Sequence, residues 1–369
     1  MLRLQHISLV QFKNYSNRSF ALPVRIIAIC GHNGAGKTNL LDAIYYLCFT
    51  RSYFTRLDGG NAKHGTSGFR IEGWFDRQGN EEQAVCILRE SGKKVFTVNE
   101  QEYEKFSQHI GRYPCVMIAP DDAGLITGGS EERRKFLDAL LSQLDADYLQ
   151  HLITYTRVLQ QRNSLLKSFA ETGQRDDRLL DVLDEQLWRP GELIFSRRKE
   201  FLVSFLPSVK RLYFEIAGKG GDRKNSPVAE EVNLFYESEM LHRSMEELLK
   251  HNRQKDLYAQ RTTSGIHKDE LDIQLSGQPF KNTASQGQRK SLLFALKLAE
   301  LETLKKEKGF APLLLLDDVF EKLDENRIMN LLTHVCLQND GQVFITDTNK
   351  DRLVEHLEKL GLGFEIITL

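Results

Sequence analysis

A glycine-rich segment near the start of the chain has the residue types that hold a phosphate group. Gly31, four further residues, Gly36, Lys37 and Thr38 match the pattern of a phosphate-binding loop completely. Glycines let successive backbone N–H groups approach phosphate oxygens, and the N-terminus of the next helix adds partial positive charge. Lys37 brings a full positive charge to the β- and γ-phosphates, and the Thr38 hydroxyl ligates Mg²⁺. The predicted binding residues are Gly31, His32, Asn33, Gly34, Ala35, Gly36, Lys37, Thr38 and Asn39.

The flanking sequence supplies the strand and the helix that such a loop requires. Val24–Cys30 is a compact β-branched run, typical of a strand buried on both faces. The residues from Lys37 to about Phe49 predict a helix. A chance glycine-rich turn is the alternative interpretation, and the presence of both flanking elements argues against it.

A second candidate segment lies near the other end of the chain. Leu313–Leu316 predicts a buried strand, and two carboxylates, Asp317 and Asp318, follow it. The carboxyl edge of a parallel sheet is where α/β proteins bind ligands. We predict that Asp317 holds Mg²⁺ through water and that Asp318 polarises the attacking water, so that Asp318 and Lys37 are the candidate catalytic residues. Taken alone, the acidic pair is equally typical of a strand end with a solvated turn.

The other elements predict an α/β protein whose two ends form one nucleotide domain, residues 1–128 and 262–369, around a helical insertion at 129–261. In the insertion, Ser130 is a predicted N-cap, and Pro190 and Pro207 are predicted to interrupt or bend helices. A short heptad seam with one arginine runs through Leu152, Tyr155, Leu159, Arg162, Leu166 and Phe169. Further predicted strands are Met1–Phe12, Arg18–Leu22, Phe69–Phe75, Gln83–Arg89, Leu271–Leu275, Gln342–Thr346 and Phe364–Leu369. Further predicted helices are Gly287 to about Lys306 and Asp351–Leu360, and Gly218–Pro227 is a predicted loop.

The composition limits the classes of partner. The 369 residues include 50 Lys and Arg against 51 Asp and Glu, a net charge of −1, so binding to nucleic acid or anionic lipid needs a local basic patch. A hydrophobic content of 41% excludes disorder as the dominant state. No apolar run approaches the ~20 residues of a membrane span, and we expect a cytoplasmic protein with no membrane partner. The five scattered cysteines predict reduced thiols, with neither disulfides nor zinc.

The segment Ser285–Gln288 has a local interpretation and a second one that depends on its position upstream of the acidic strand. Alone it predicts an N-cap serine and a loop glycine. Its order and spacing resemble the signature motif of ABC-type ATPases, in which the signature of one subunit closes over the γ-phosphate held by the other. Leu323-Asp324 likewise resembles the subunit-contact loop of that class. The resemblance implies an ABC-type, SMC-like head P-loop ATPase domain with a helical insertion, and ATP contacts from Ser285, Gln286, Gly287 and Gln288.

Three further segments narrow the resemblance to the RecF family of DNA replication and repair proteins. They are Phe12-Lys13-Asn14-Tyr15, Ala119–Asp122 with Glu132–Asp138, and Gly265–Leu271. Gln286, in place of the usual glycine, is also typical of that family. The resemblance implies an ATP-dependent homodimer that binds duplex DNA and single-strand gap junctions. It also implies RecR and RecO-like mediators as partners, recombinase loading at gaps, and a role in recombination and the SOS response to DNA damage.

Some positions differ from the ABC-type pattern. Thr346-Asp347-Thr348 stands where the class has a switch histidine, Asp318 stands where Glu is commoner, and no glutamine can be placed in the magnesium-sensing loop. We therefore expect slow ATP hydrolysis. Two other functions stay open, a small-molecule phosphotransferase and a transporter ATPase subunit. The first has no need of Ser285–Gln288, and the missing histidine and the long insertion argue against the second.

Basic residues occur in small groups, most of which are expected to be solvated helix faces. The family resemblance implies phosphate contacts to DNA without base reading, and the sequence leaves open which groups make them. The groups are Arg133–Lys135, Arg197–Lys199, Lys210-Arg211, Arg223-Lys224, and Arg253 with Lys255.

Overall fold

A computed structural model describes residues 1–217, 231–320 and 325–369. The predicted loop Gly218–Pro227, the pair Arg223-Lys224 and the predicted subunit-contact loop Leu323-Asp324 lie outside the described residues. The strands are β1 (Leu2–Phe12), β2 (Tyr15–Ala21), β3 (Ile26–Cys30), β4 (Phe69–Arg77), β5 (Asn80–Leu88), β6 (Lys94–Val98), β7 (Gln101–Glu102), β8 (Cys115–Ile118), β9 (Val232–Glu237), β10 (Glu270–Leu275), β11 (Gln278–Pro279), β12 (Leu313–Leu316), β13 (Val343–Asp347) and β14 (Glu365–Thr368). The helices are α1 (Lys37–Phe49), α2 (Ala123–Thr127), α3 (Ser130–Leu144), α4 (Ala146–Thr172), α5 (Asp177–Ala217), α6 (Met245–Ala259), α7 (Phe280–Thr283), α8 (Gln286–Lys308), α9 (Glu325–Leu332) and α10 (Lys350–Lys359).

The described residues form two compact units. The first comprises those within 1–122, 212–217 and 293–369, and the second comprises those within 123–211 and 231–292. The second unit extends past the positions 129 and 261 at both ends. The predicted division into domains at those positions stays a prediction.

The first unit contains two sheets. A parallel sheet has the strand order β14-β3-β13-β12-β8, so it combines strands from both ends of the chain. An antiparallel sheet has the order β2-β1-β4-β5-β6-β7. Every residue of β3 and β12 is buried, which explains their uninterrupted apolar sequences. Side chains of both sheets and of α1 share one hydrophobic core.

The second unit contains α3, α4, α6, most of α5 and a three-stranded antiparallel sheet, β11-β10-β9. The predicted helical insertion also holds a strand that was not predicted, β9, which pairs with β10. Alternation in β9 is weak, since its burial pattern has one buried residue, Val232, and the rest half-buried or exposed. Such a strand carries little of the period-two signal from which strands are predicted.

One continuous helix, α5, runs through both Pro190 and Pro207, which were expected to interrupt or bend helices. A proline inside a helix costs about 3 kcal/mol through a lost hydrogen bond and a steric clash. Buried apolar side chains flank both positions, and each contributes about 1.5–3 kcal/mol, so packing outweighs the local cost. These side chains are Leu180, Leu187, Ile194, Phe205 and Val209.

The heptad seam of α4 differs in detail from the prediction. Leu152 and Leu159 are only half-buried, and Val158 is buried instead. Arg162 is fully buried, and its guanidinium donates to Asp184 at 2.6 Å and to Asp256 at 2.8 Å. The arginine is thus part of the interior of the second unit, because its charge is paired there.

Other local predictions have mixed outcomes. Ser130 is the first residue of α3, and Gly129 occupies the N-cap, so the predicted serine cap was wrong. The remaining predicted strands and helices are confirmed to within a few residues. The elements that were not predicted include β6, β7, β8, β9, β11, α2, α7 and α9. All five cysteines are free and buried. Within the described part of the chain, no helix has the length and apolar character needed to cross a membrane.

Candidate nucleotide site

The glycine-rich loop lies between β3 and α1, so the strand and the helix predicted on either side of it are confirmed. Gly34 and Gly36 have φ angles of 83° and 111°, a region that favours glycine. A Cβ atom at Gly36 would lie 2.6 Å from the Asn14 side-chain nitrogen, so only glycine fits there. His32 and Asn33, at the tip of the loop, are exposed to solvent. The loop is therefore rigidly held at its base and open at its tip.

Three residues that follow β1 hold the base of the loop. Tyr15 donates its hydroxyl proton to the Gly36 carbonyl at 3.0 Å, and Asn14 Nδ2 donates to the Ala35 carbonyl at 3.1 Å. Lys13 forms an ion pair of 2.5 Å with Asp42 of α1. Burial raises the pKa of Tyr15 to about 12, so the phenol stays protonated and remains a donor. In the sequence, these residues carried only a family resemblance, and their role at the loop was missed.

The Lys37 ammonium group lies inside the loop. Lys37 is 4% exposed, and its Nζ donates to the Gly31 carbonyl at 3.0 Å and to the His32 carbonyl at 3.3 Å. Both partners are neutral, so they leave the positive charge uncompensated. An anionic group bound at the loop would meet a full charge in a water-poor setting, where electrostatic attraction is strong.

Thr38 and the acidic strand end meet directly. The Thr38 hydroxyl lies 2.9 and 3.0 Å from the two carboxylate oxygens of Asp317, which is 3% exposed. Burial raises the pKa of Asp317, while hydrogen bonds from Thr346 and Thr38 act in the opposite direction. The structure thus brings together two of the predicted site residues that lie 279 positions apart.

Thr346 contacts both aspartates of the acidic pair. Its hydroxyl donates to Asp317 Oδ1 at 2.9 Å and accepts the backbone N–H of Asp318 at 2.9 Å. Asp318 has a φ of 43°, a left-handed conformation that Asp tolerates better than most residues. Thr346 therefore fixes both the carboxylate of one aspartate and the backbone of the next. The sequence marked this position only as one that lacks a histidine.

The sheet order explains these contacts. In the parallel sheet, β13 lies between β3 and β12, and Leu316 pairs with Ile345. The residues after these two, Asp317 and Thr346, therefore lie side by side at the carboxyl end of the neighbouring strands. Asp347 pairs with Cys30, which places the start of the glycine-rich loop beside the same strand. The glycine-rich loop, the Thr346 hydroxyl and the acidic pair therefore lie at the same edge of the parallel sheet.

Ser285–Gln288 forms a capping box at the start of α8. Gln288 N–H donates to the Ser285 hydroxyl at 3.2 Å, and the Gln288 side chain accepts the Ser285 N–H at 2.6 Å. Ser285 and Gln286 are exposed. This segment belongs to the second unit and the loop to the first. The N-cap interpretation is confirmed, and a signature role for Ser285, Gln286, Gly287 and Gln288 stays a prediction.

The oxygen donors at the loop suit Mg²⁺. Magnesium is held in proteins by one or two carboxylates together with waters and substrate phosphates, and a dedicated cage of side chains is unusual. The Thr38 hydroxyl and the Asp317 carboxylate provide such a partial set. Within residues 1–217, 231–320 and 325–369, no group of three or more His, Cys, Asp or Glu could hold a metal ion.

Comparison with known proteins decides the family. Residues 3–364 match the family described as RecF/RecN/SMC N terminal domain. The DNA replication and repair protein RecF of Flavobacterium johnsoniae is 44% identical over 368 residues, which cover 100% of both chains. The chain belongs to the RecF family. The RecF protein of Phocaeicola vulgatus is 40% identical, over 99% of this chain and 96% of its own.

Solved structures agree with membership of the RecF family. The structure of the recombination mediator protein RecF-ATP in the RecFOR pathway is 30% identical, with a TM-score of 0.84 over 95% of this chain and 92% of that one. An Smc head domain from Pyrococcus furiosus is 15% identical, with a TM-score of 0.54, and shares the fold alone. The predicted RecF family and the predicted α/β, SMC-like head fold are confirmed.

Proposed function

We propose that the chain binds ATP and Mg²⁺ at Gly31–Asn39 and hydrolyses the ATP. The observation that carries this proposal is the meeting of the Lys37 loop, Thr38 and the Asp317 carboxylate at one sheet edge. Thr38 and Asp317 would hold the magnesium ion, which neutralises phosphate charge when bound. The match to a RecF-ATP structure at 30% identity supports the nucleotide.

Within this site, Asp318 is the proposed catalytic carboxylate, which polarises the attacking water. Its side chain is one methylene shorter than the commoner Glu, and Thr346-Asp347-Thr348 stands where the ABC-type pattern has a switch histidine. Hydrolysis therefore serves as a slow release switch. A wild-type turnover above ~10 s⁻¹, an ordinary enzyme rate, would contradict this slow switch.

The biological role proposed for this ATPase is DNA replication and recombinational repair. Relatives that match the whole chain are DNA replication and repair proteins. In this proposal ATP closes a homodimer on duplex DNA or on a single-strand gap junction, and hydrolysis releases it. RecR and RecO-like mediators are the proposed partners in recombinase loading. The full-length RecF match gives no support to the phosphotransferase or the transporter subunit.

A mixing experiment tests whether two copies share each ATP site. Lys37→Ala removes the loop charge of one copy, and Ser285→Arg places a bulky cation in the signature of the other. If the sites are composite, each mixed dimer keeps one intact site, and an equal mixture recovers up to about a quarter of wild-type ATPase activity. If each copy completes its own site, the mixture is no more active than either variant alone, and the composite dimer is refuted.

The contact from Tyr15 to the loop gives a smaller, separate prediction. Tyr15→Phe keeps the packed ring and removes the hydrogen bond to the Gly36 carbonyl. A hydrogen bond contributes about 0.5–1.5 kcal/mol net, so we expect ATP affinity to fall by about 3- to 10-fold, with the thermal unfolding temperature little changed. Titration calorimetry with ATP and Mg²⁺ measures this, with Tyr258→Phe, at an exposed position of the second unit, as the control. An unchanged affinity would show that the loop keeps its shape without Tyr15.

A further inference from the structure

Most basic groups noted in the sequence have acidic partners in the second unit. Arg133 pairs with Glu270 at 2.8 Å, and Arg198, almost fully buried, pairs with Asp138 at 2.7 Å. Other pairs are Lys135 with Glu131 and Glu132, Arg197 with Asp145, and Arg253 with Asp177 and Asp181. Because these cations form ion pairs that stabilise the second unit, their charges are largely neutralised.

The other exposed cations of the same unit include Lys255 on α6, Arg261 just after α6, and Lys268 in the turn before β10. None of the three has a carboxylate partner among the residues that the structure describes. We call these three residues the arm patch. Tyr258, which stands between the first two in the chain, is 93% exposed.

Contacts of His267 draw the members of the arm patch together. His267 Nε2 lies 3.2 Å from the Thr262 carbonyl, and the Tyr155 hydroxyl lies 2.7 Å from His267 Nδ1. The first contact holds the turn with Lys268 against the residue that follows Arg261, and the second holds the same turn against α4. Burial lowers the pKa of His267 to about 4, so the ring is neutral near pH 7 and the patch charge comes from lysine and arginine.

The charges of the arm patch are mutually close. The pKa of Lys268 is lowered, first by burial and then by the positive charges of Arg261, Arg134 and Lys255, while the Asp256 carboxylate acts in the opposite direction. Like charges in proximity raise the free energy of the protein unless an anion binds between them. The patch is therefore arranged to favour an anionic partner.

Nearby carboxylates point into the protein. Asp256, the acidic residue of α6 next to Lys255, is fully buried and is bound by Arg162 at 2.8 Å. Asp269, next to Lys268, is 3% exposed and pairs with Arg198 at 3.0 Å. Both of these neighbouring acids are thus paired inside the unit, whereas the side chains of the arm patch are exposed and positive.

We propose that the arm patch, Lys255, Arg261 and Lys268, contacts the phosphate backbone of DNA. This inference rests on the proposed function and names the surface through which the chain holds DNA. A chain of net charge −1 needs a local basic surface to bind a polyanion.

The test is a triple variant, Lys255→Glu, Arg261→Glu and Lys268→Glu, measured by fluorescence anisotropy with ATP, Mg²⁺ and labelled duplex DNA over a salt series. Each phosphate contact contributes about 0.9 to the slope of log affinity against log salt. We expect the slope to shrink by about 2.7 and the affinity near physiological salt to fall at least about tenfold. ATPase activity without DNA should stay at the wild-type level, which verifies folding.

Lys250→Glu is the matched control. Lys250 lies on the same helix and is already paired with Glu246 at 2.6 Å, so we expect no change in slope. If the triple variant keeps both the wild-type slope and affinity while the wild type binds DNA, the arm patch is not a DNA surface, and an acidic protein would fit it instead. If the wild type shows no ATP-dependent DNA binding at all, the proposed function itself fails.

Discussion

Lys37→Ala is expected to weaken ATP binding by about 100-fold and to abolish the effect of ATP on binding to gapped DNA. The Lys37 ammonium group is 4% exposed, and two neutral carbonyls hold it in place for an anion. A hydrogen bond to a charged group is worth about 1.5–3 kcal/mol. Lys37→Ala removes one such bond to each of the β- and γ-phosphates. The binding free energy of ATP is therefore weakened by about 3 kcal/mol or more, which is about 100-fold in affinity.

Two measurements distinguish an effect on ATP binding from an effect on the control of DNA binding by ATP, which we call the gate. Titration calorimetry gives the ATP affinity of wild type and variant, and anisotropy gives their affinity for gapped DNA with and without ATP. Lys359→Ala is the control, because it removes the same charge from an exposed ion pair with Glu325 in the same unit. A Lys37→Ala protein whose DNA affinity still rises with ATP would refute the gate. Unchanged ATP affinity would refute the site.

Local sequence signals predicted the nucleotide loop and its neighbours well. The glycine spacing, the β-branched run before it and the apolar helix after it are short-range patterns, and β3 and α1 have the expected positions. By contrast, β8 has four residues, all buried, and so short an apolar run does not distinguish a strand from other buried segments. The continuity of α5 through Pro190 and Pro207 was equally unpredictable, because it depends on tertiary packing.

Contacts within the site were harder to predict than its motifs. Asn14 and Tyr15 contact the loop from 21 positions away, and Thr346 reaches Asp317 across the sheet edge. Their roles follow from the strand order β3-β13-β12, which no local pattern encodes. Thr38 and Asp317 were predictable as a pair because both motifs imply the same magnesium ion.

Buried charges show the same limit. Arg162 interrupts an apolar seam in the sequence, which suggests an exposed or weak position, yet its side chain is fully buried with Asp184 and Asp256. Burial of a charge requires partners that are distant in the chain. The sequence places Asp256 94 positions further along. Only the folded second unit reveals why this arginine stands on that helix.

Asp318→Asn is expected to lower ATP turnover by about 100- to 1,000-fold, within the range of general acid–base contributions, while ATP affinity changes little. Asn tolerates the φ of 43° as well as Asp does, and the backbone N–H still donates to Thr346. The substitution therefore removes charge without moving the chain. Because hydrolysis releases DNA in the proposed cycle, the variant should also dissociate from gapped DNA more slowly in ATP. Phosphate release and DNA dissociation in a competitor chase measure the two effects.

Thr346→Val is expected to lower ATP turnover by less than Asp318→Asn does. The valine keeps the shape of threonine but can neither donate to Asp317 nor accept the N–H of Asp318. Since both carboxylates remain present, we expect turnover to fall by only about tenfold. This fall corresponds to a rise of about 1.4 kcal/mol in the activation free energy, caused by misplacement of the carboxylates. Asp351→Asn, in the first turn of α10, controls for the loss of one negative charge. Wild-type turnover in Asp318→Asn would assign the catalytic carboxylate to another residue. If Thr346→Val lost as much turnover as Asp318→Asn, the orientation of the acidic pair would matter more than the charge of Asp318.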